Sequence, residues 1–423
     1  MDKPLKFCMV TTFYPPHSFG GDAMYTYRLT NELARQGHRV DVIHCEDSYA
    51  LLRNNGVLGE YLNHPNVTIH TLKSPAGWLS PLLTQQTGMP FFKRQKIKTL
   101  LEENQYDVIH YHNMSLIGIT ALQYGSAVKL YTLHEHWLVC PMHVLWKFNR
   151  EVCTKKSCTL CCLKGKRPPQ LWRHTGLLER MVRHVDSFIS PSKFALKKHH
   201  DLGLEIPIRH IPHFLPRVEE PTDRAESRSS APDQRPYFLF VGRLEKIKGV
   251  QNLIPIFKQR RDLDLLIAGE GEYKRQLQAQ AGDFANIKFL GNLSQTELRD
   301  LYRGALAVVV PSICYETFGI IILEAFSQKT PVVVNNLGAL PEVVQDSGGG
   351  LIYNDQNELT VSIEKLAADP ALRNEFGRRG YEAYLKYWTE ETHLRSYLDL
   401  VEDVRKKHRT VATANNSDGY SQN

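Results

Sequence analysis

At 423 residues the chain is longer than one hydrophobic core usually supports, and two domains are expected. Hydrophobic residues at 42% with 23% charged residues exclude fibrous and disordered classes, and no run of about eighteen apolar residues is present to form a membrane span. The formal charge of +7 is uneven: residues 1–217 hold 27 Lys and Arg against 16 Asp and Glu, and the remainder is acidic. A basic first half suits a phospholipid surface, a nucleic acid or a phosphorylated acceptor, or is a solvated face with no partner.

The opening "MDKPLKFCMVTTFYPP" reads as a first strand rather than a signal peptide, because its apolar run ends at prolines without a small-residue cleavage site. A cytoplasmic location is the expectation. A turn at Gly20 and Gly21 leads into "DAMYTYRLTNELARQGH", which has helical periodicity up to Gly37. "RVDVIHC", "YDVIHYH", "AVKLYTLHEHW" and "VDSFISPS" follow as strands, alternating with helical patterns such as "MSLIGITALQYG". Such alternation means a parallel sheet covered by helices.

"PRVEEPTDRAESRSSAPDQRP" has no hydrophobic period and marks a linker over 216–236. The pattern then restarts with "YFLFVGRL", "LDLLIAGEG", "NIKFLGNL", "ALAVVVPS", "TPVVVNN" and "GGLIYN". The expected organisation is α/β with two doubly wound, Rossmann-like domains facing a cleft. The first spans 1–215 with a Cys-rich insertion at about 140–165, and the second spans 237–389. A helix over 390–407 returns to the first domain, and 408–423 is a disordered tail. In such sheets ligands gather beyond the carboxyl ends of the strands, so the cleft is the expected site.

Within "CYETFGIIILEAFSQKTPVVV", Glu316 precedes a short helix and Glu324 lies inside it. Gly319 permits close backbone approach, and the amides of Gly319, Ile320 and Ile321 form an anion-binding helix start suited to phosphate. Glu324 can accept from a ribose diol, and Glu316 can face the attached sugar. Two glutamates around a helix start are also ordinary capping charges. In "VGRLEKIKGV", Arg243 and Lys248 follow a strand end, where two cations could neutralise a diphosphate. Gly20 and Gly21 form a second close-approach site.

These pieces in this order resemble one family over nearly the whole chain: the retaining glycosyltransferases of the two-domain GT-B fold, glycosyl transferases group 1, carbohydrate family four. The resemblance rests on the Gly-Gly turn, "HE" at 134–135, "ISPSKF", "VGRLEKIKG", "AGEGE", "FLGNLS", the E-x7-E from Glu316 to Glu324, and "GGGLIYN". It implies sugar transfer from a nucleotide-diphosphate-sugar donor to a glycan or lipid-linked acceptor, with retention and no cofactor required for catalysis. Polysaccharide or glycolipid synthesis is the implied setting. Arg243 and Lys248 resemble the diphosphate clamp, and Gly21 with the amides from Gly319 to Ile321 its backbone cradle. Glu324 resembles the ribose ligand, Glu316 the donor-sugar contact, and Leu293 the position beside the base. His134 is similar to the histidine near the reaction centre, although 16 of the 18 histidines lie in residues 1–217. The chain departs from the family pattern at Glu135, where Asp is usual, and at His213 and Phe214, where Asn-Gly is usual.

Cys140, Cys153, Cys158, Cys161 and Cys162 fall within 23 residues. The spacing of the first four suits a structural zinc or an iron–sulfur cluster; free redox-labile thiols and disulfides are the alternatives. Residues 77–103 mix apolar side chains with Lys93, Arg94, Lys96 and Lys98, and "KGKRPPQLWRH" adds more. This suits either peripheral contact with an anionic membrane or a helix packed on the sheet. "DLD" at 262–264 reads as a strand edge rather than a metal-binding pair. A nucleotide-sugar epimerase shares the expected architecture, a phosphorylase would need a pyridoxal-phosphate lysine not found here, and a Cys-knuckle nucleic-acid binder is the remaining alternative. No nucleic acid is expected, because the basic residues do not interleave with a reading helix or RNP-type aromatics.

Overall fold

The computed structural model describes residues 3–52, 60–217 and 235–418, with side chains to residue 410. Most of the 216–236 linker therefore lies outside the described residues.

Buried parallel strands read as continuous apolar runs, and these runs form the two sheets. The first contains β1 (Lys6–Val10), β2 (Arg39–Cys45), β3 (Val67–Leu72), β4 (Val108–Tyr111) and β5 (Val128–Thr132). A small antiparallel hairpin, β6 (Trp146–Lys147) and β7 (Glu151–Val152), interrupts it before β8 (Ser187–Ser190) and β9 (Ile208–His210). The second contains β10 (Tyr237–Val241), β11 (Asp264–Ala268), β12 (Ile287–Gly291), β13 (Ala307–Val310), β14 (Val332–Asn335) and β15 (Gly350–Tyr353). Strand orders are β3-β2-β1-β4-β5-β8-β9 and β12-β11-β10-β13-β14-β15, with every pairing in both parallel.

Alternate residues along each central strand enter opposite helical layers. Phe7 and Met9 join one core and Cys8 and Val10 the other; Phe238 and Phe240 likewise separate from Tyr237 and Leu239. Each sheet reverses direction once, between β1 and β4 and between β10 and β13. Crevices open at these switch points beyond the strand carboxyl ends, where Gly20, Arg243 and Glu316 lie.

The chain crosses between domains twice. Phe214 is buried in the first core and Leu215 in the second, and Leu215 N–H donates to the Trp388 carbonyl at 3.0 Å. The last helix, Glu390–Asp418, then buries Leu394, Tyr397, Leu400, Val401 and Val404 in the first domain's core. It runs past residue 407 to Asp418, so the disordered tail expected from 408 is corrected; positions 419–423 lie outside the described residues.

Two other expectations change. "MSLIGITALQYG" forms only a 3₁₀ turn at Ile119–Gln123, because Gly118 takes a φ of 101° and Thr120 N–H donates to the Gly88 carbonyl instead of continuing a helix. Lys93 is not a surface cation: it is 2% exposed, with Nζ 3.0 Å from Cys45 Sγ and 3.4 Å from Asp47 Oδ2. At the edge of β11, Asp264 pairs with Lys288 at 2.6 Å. No helix among the described residues is long and apolar enough to cross a membrane.

Candidate active site

The second domain builds its half of the cleft from two loops pressed together. Gly249 has a φ of 77°, and a Cβ there would lie 1.8 Å from the Pro311 carbonyl oxygen. Only glycine lets the loop after β10 approach the loop after β13 so closely. Ile313 N–H donates to the Ile247 carbonyl at 2.8 Å. Lys248 Nζ consequently stands 2.7 Å from Glu316 Oε1, which also accepts from Ser312 Oγ at 2.7 Å. Burial disfavours charge on both groups, yet each stabilises the other: the Glu316 carboxyl is held below its ordinary range and the Lys248 ammonium above its own. Both are charged at neutral pH.

Arg243 pairs with Glu245 at 2.9 Å and is half exposed. It lines an open cleft of about 230 Å³ with Gly242, Glu270, Gly291 and Leu293. Arg243 and Leu293 thus share one cavity, whereas Lys248 is already engaged by Glu316. Glu324 accepts from the Tyr302 hydroxyl at 2.8 Å and meets Arg28 of the first domain at 3.5 Å.

The N-termini of the helices Gly21–Arg35 and Ile320–Ser327 meet between the two domains. A Cβ on Gly21 would lie 3.7 Å from Ile320 Cγ2. Gly319 adopts a φ of 97° to begin the second of these helices. Each first turn leaves amides without partners inside its helix and carries partial positive charge. The domains are tied nearby: Ser192 Oγ donates to the Thr317 carbonyl at 2.7 Å, and Thr317 Oγ1 donates to the His134 carbonyl at 2.8 Å. Glu342 accepts from Lys193 and Phe194 N–H at 2.9 and 3.0 Å.

His134 follows β5 and is buried. Its ring nitrogens meet His112 Nδ1 at 2.9 Å and His213 Nε2 at 3.3 Å. Burial pushes its pKa down to about 3, so it is neutral. Beside it, Glu135 bonds His143 at 2.7 Å, and Asn113 donates to Asp22 at 3.1 Å. Burial and the nearby Glu135 raise the Asp22 carboxyl above its ordinary value.

The family models divide the chain as the sheets do. "Glycosyltransferase Family 4" matches residues 19–216 and "Glycosyl transferases group 1" matches 222–383, together most of the chain. The chain belongs to the group 1 glycosyltransferases. An uncharacterised glycosyltransferase of Methanocaldococcus jannaschii is 28% identical over 408 residues, covering 90% of this chain and 94% of that one. The transferase also has the GT-B fold of sucrose-phosphate synthase from Thermosynechococcus elongatus, with a TM-score of 0.71, 20% identity and coverage of 97% and 100%. Anabaena HepE in complex with UDP-glucose gives a TM-score of 0.67 at 16% identity, with coverage of 94% and 100%.

The cysteine insertion of this glycosyltransferase brings the four expected ligands to one pocket. Cys140, Cys153, Cys158 and Cys161 line one small pocket with Met142 and Trp146. Among the described residues, however, no three His, Cys, Asp or Glu side chains are set to hold a metal ion. All eight cysteines are unbridged. Burial raises the Cys140 thiol to about 11 and also raises Cys153 and Cys162, which keeps them protonated.

Sequence reasoning missed Arg28, Tyr302, Ser312, His112 and the bridging role of Thr317. Thr317 stands inside the quoted E-x7-E segment, but nothing in one dimension shows that it reaches 183 residues back to His134.

Proposed function

We propose that this glycosyltransferase moves a hexose from a nucleoside-diphosphate sugar to an acceptor hydroxyl with retention of anomeric configuration. The observation carrying this reading is the Lys248–Glu316 pair, with Glu316 just before the helix Ile320–Ser327, whose N-terminus touches that of the helix Gly21–Arg35. Cationic and amide groups there suit a diphosphate, Glu324 suits the ribose diol, and Glu316 suits the transferred sugar. Leu293 stands beside the base, and His134 near the reacting carbon. As the bond from anomeric carbon to diphosphate oxygen breaks, the acceptor oxygen bonds on the same face and its proton passes to the departing phosphate. Arg243 and Lys248 neutralise that leaving group.

Incubation with UDP-, GDP- and ADP-sugars, followed by NMR of the product's anomeric proton, tests this reading. One donor should raise the melting temperature and yield a product of unchanged configuration. Inverted product, or no response to any donor, refutes it, and trapping sugar covalently on Glu316 with donor alone refutes the front-face course.

The acceptor side suits a lipid-linked glycan met at an anionic membrane. Trp78, Phe91, Phe92 and Leu171 are more than half exposed, and Trp172 Nε1–H donates to the Gln85 carbonyl, which joins the two segments. Residues 140–173 hold eight Lys or Arg against one Glu, an excess equal to that of the whole chain. Apolar side chains beside such charge favour anionic lipid. Flotation with anionic vesicles should carry the protein up, and W78S/F91S/F92S should leave it behind; equal flotation with neutral vesicles counts against the charge argument.

A further inference from the structure

Three segments distant in sequence bring His112, His134 and His213 into one buried row. His112 follows β4, His134 follows β5, and His213 lies on the first crossing between domains. The contacts are His112 Nδ1 to His134 Nε2 at 2.9 Å and His134 Nδ1 to His213 Nε2 at 3.3 Å. The two outer nitrogens, His112 Nε2 and His213 Nδ1, are buried without partners. Burial pushes all three rings far below their ordinary pKa, so each carries a single N–H.

A row of neutral imidazoles has only two self-consistent proton arrangements. Either His112 donates to His134, which donates to His213, or every donation runs in reverse. Any mixture sets two lone pairs or two protons against each other at a contact. The tautomer of His134 is therefore decided by its neighbours, because it has no ring nitrogen outside the row. His213 is itself held between Tyr25, 4.3 Å between ring centroids, and Phe318, 5.4 Å and edge-on. Tyr25 lies on the helix that begins at Gly21, and Phe318 immediately precedes Gly319.

Resting on the transfer reaction assigned above, we propose that His213 is a positioning residue: its Nε2 ties the proton position and ring plane of His134, at the reaction centre, to its own. It touches no reacting atom itself. A variant that keeps a ring between Tyr25 and Phe318 preserves the packing of the donor cradle, so its effect should fall on turnover rather than donor binding.

The test compares H213F, which keeps a ring between Tyr25 and Phe318 but removes the nitrogen, with H213N, which restores a hydrogen-bonding group. H213F should lower kcat about 10- to 100-fold, as a misplaced catalytic group does, with donor KM within about 2-fold. H213N should recover part of that loss. In protein labelled with ¹⁵N-histidine, His134 and His213 should show the same tautomer balance in wild type, and the balance of His134 should change in H213F. Unchanged kcat in H213F overturns the proposal, as does a rise in donor KM alone or an unaltered tautomer balance of His134. If H213F does not fold, H213L replaces it under the same criteria. If wild type transfers no sugar, the functional reading fails while the ¹⁵N spectra still decide whether His213 sets His134.

Discussion

Replacing Lys248 with Met tests how the centre of the cleft is held together. Lys248 and Glu316 are each about four-fifths buried and 2.7 Å apart. At that separation and an effective dielectric of about 20, the attraction is roughly 6 kcal/mol before the opposing desolvation of both charges. Removing the cation leaves a buried carboxylate with Ser312 beside it, and the expected loss is about 3 kcal/mol near pH 8. The pH dependence identifies the cause. In wild type the Glu316 carboxyl lies below its unfolded value, so its stabilisation is complete above the ordinary carboxylate range and is lost as pH falls through the folded pKa. In K248M burial acts without the ammonium and raises that pKa, so the penalty shrinks once acid protonates the carboxyl. Urea denaturation of wild type, K248M, E316Q and the double variant at pH 8 and pH 5 measures this. The double variant should lose much less than the two singles together. A K248M penalty equal at both pH values, or strict additivity, would refute the reasoning.

The remaining expectations concern the frame of the site and its surroundings. Gly249→Ala, whose Cβ would meet the Pro311 oxygen at 1.8 Å, should cost at least about 3 kcal/mol by chemical denaturation; wild-type stability would mean the two loops can separate freely. Glu324→Gln should weaken nucleoside-diphosphate-sugar binding about 10- to 100-fold by calorimetry, with little loss of stability because Tyr302 can donate to the new amide; an unchanged Kd removes Glu324 from the ribose. His44, His199 and His393 have pKa values lowered to about 4, and His134 to about 3. Each stays neutral when folded but binds a proton near its ordinary value when unfolded. Stability should therefore fall as pH drops below about 6.5, by about 5 kcal/mol per pH unit for the four rings together near pH 5. A denaturation midpoint unmoved between pH 7 and pH 5 contradicts that.

How much could be read from the chain follows from where the information sits. Glu316, Gly319 and Glu324 occupy one continuous strand–loop–helix segment, so their arrangement was legible from local pattern. The strands were legible because parallel strands buried on both faces are apolar throughout. Arg28 was not: it meets Glu324 from 296 positions away, and a cation on an amphipathic helix normally faces solvent. Lys93 resembled its neighbours Arg94, Lys96 and Lys98, yet Asp47 and Cys45 draw it inside. The cysteine spacing suggested four ligands around one ion; the four cysteines do line one pocket, although among the described residues no three side chains are set to hold a metal ion.

The helix Glu390–Asp418 completes the core of the earlier of the two domains in the chain. Until this helix emerges, the surface that should receive Tyr397, Leu400 and Val401 stays open to water. The amino-terminal half must then wait, partly finished, through synthesis of everything between. Chains stopped near residue 389 would keep that surface uncovered and become clients of chaperones or aggregates.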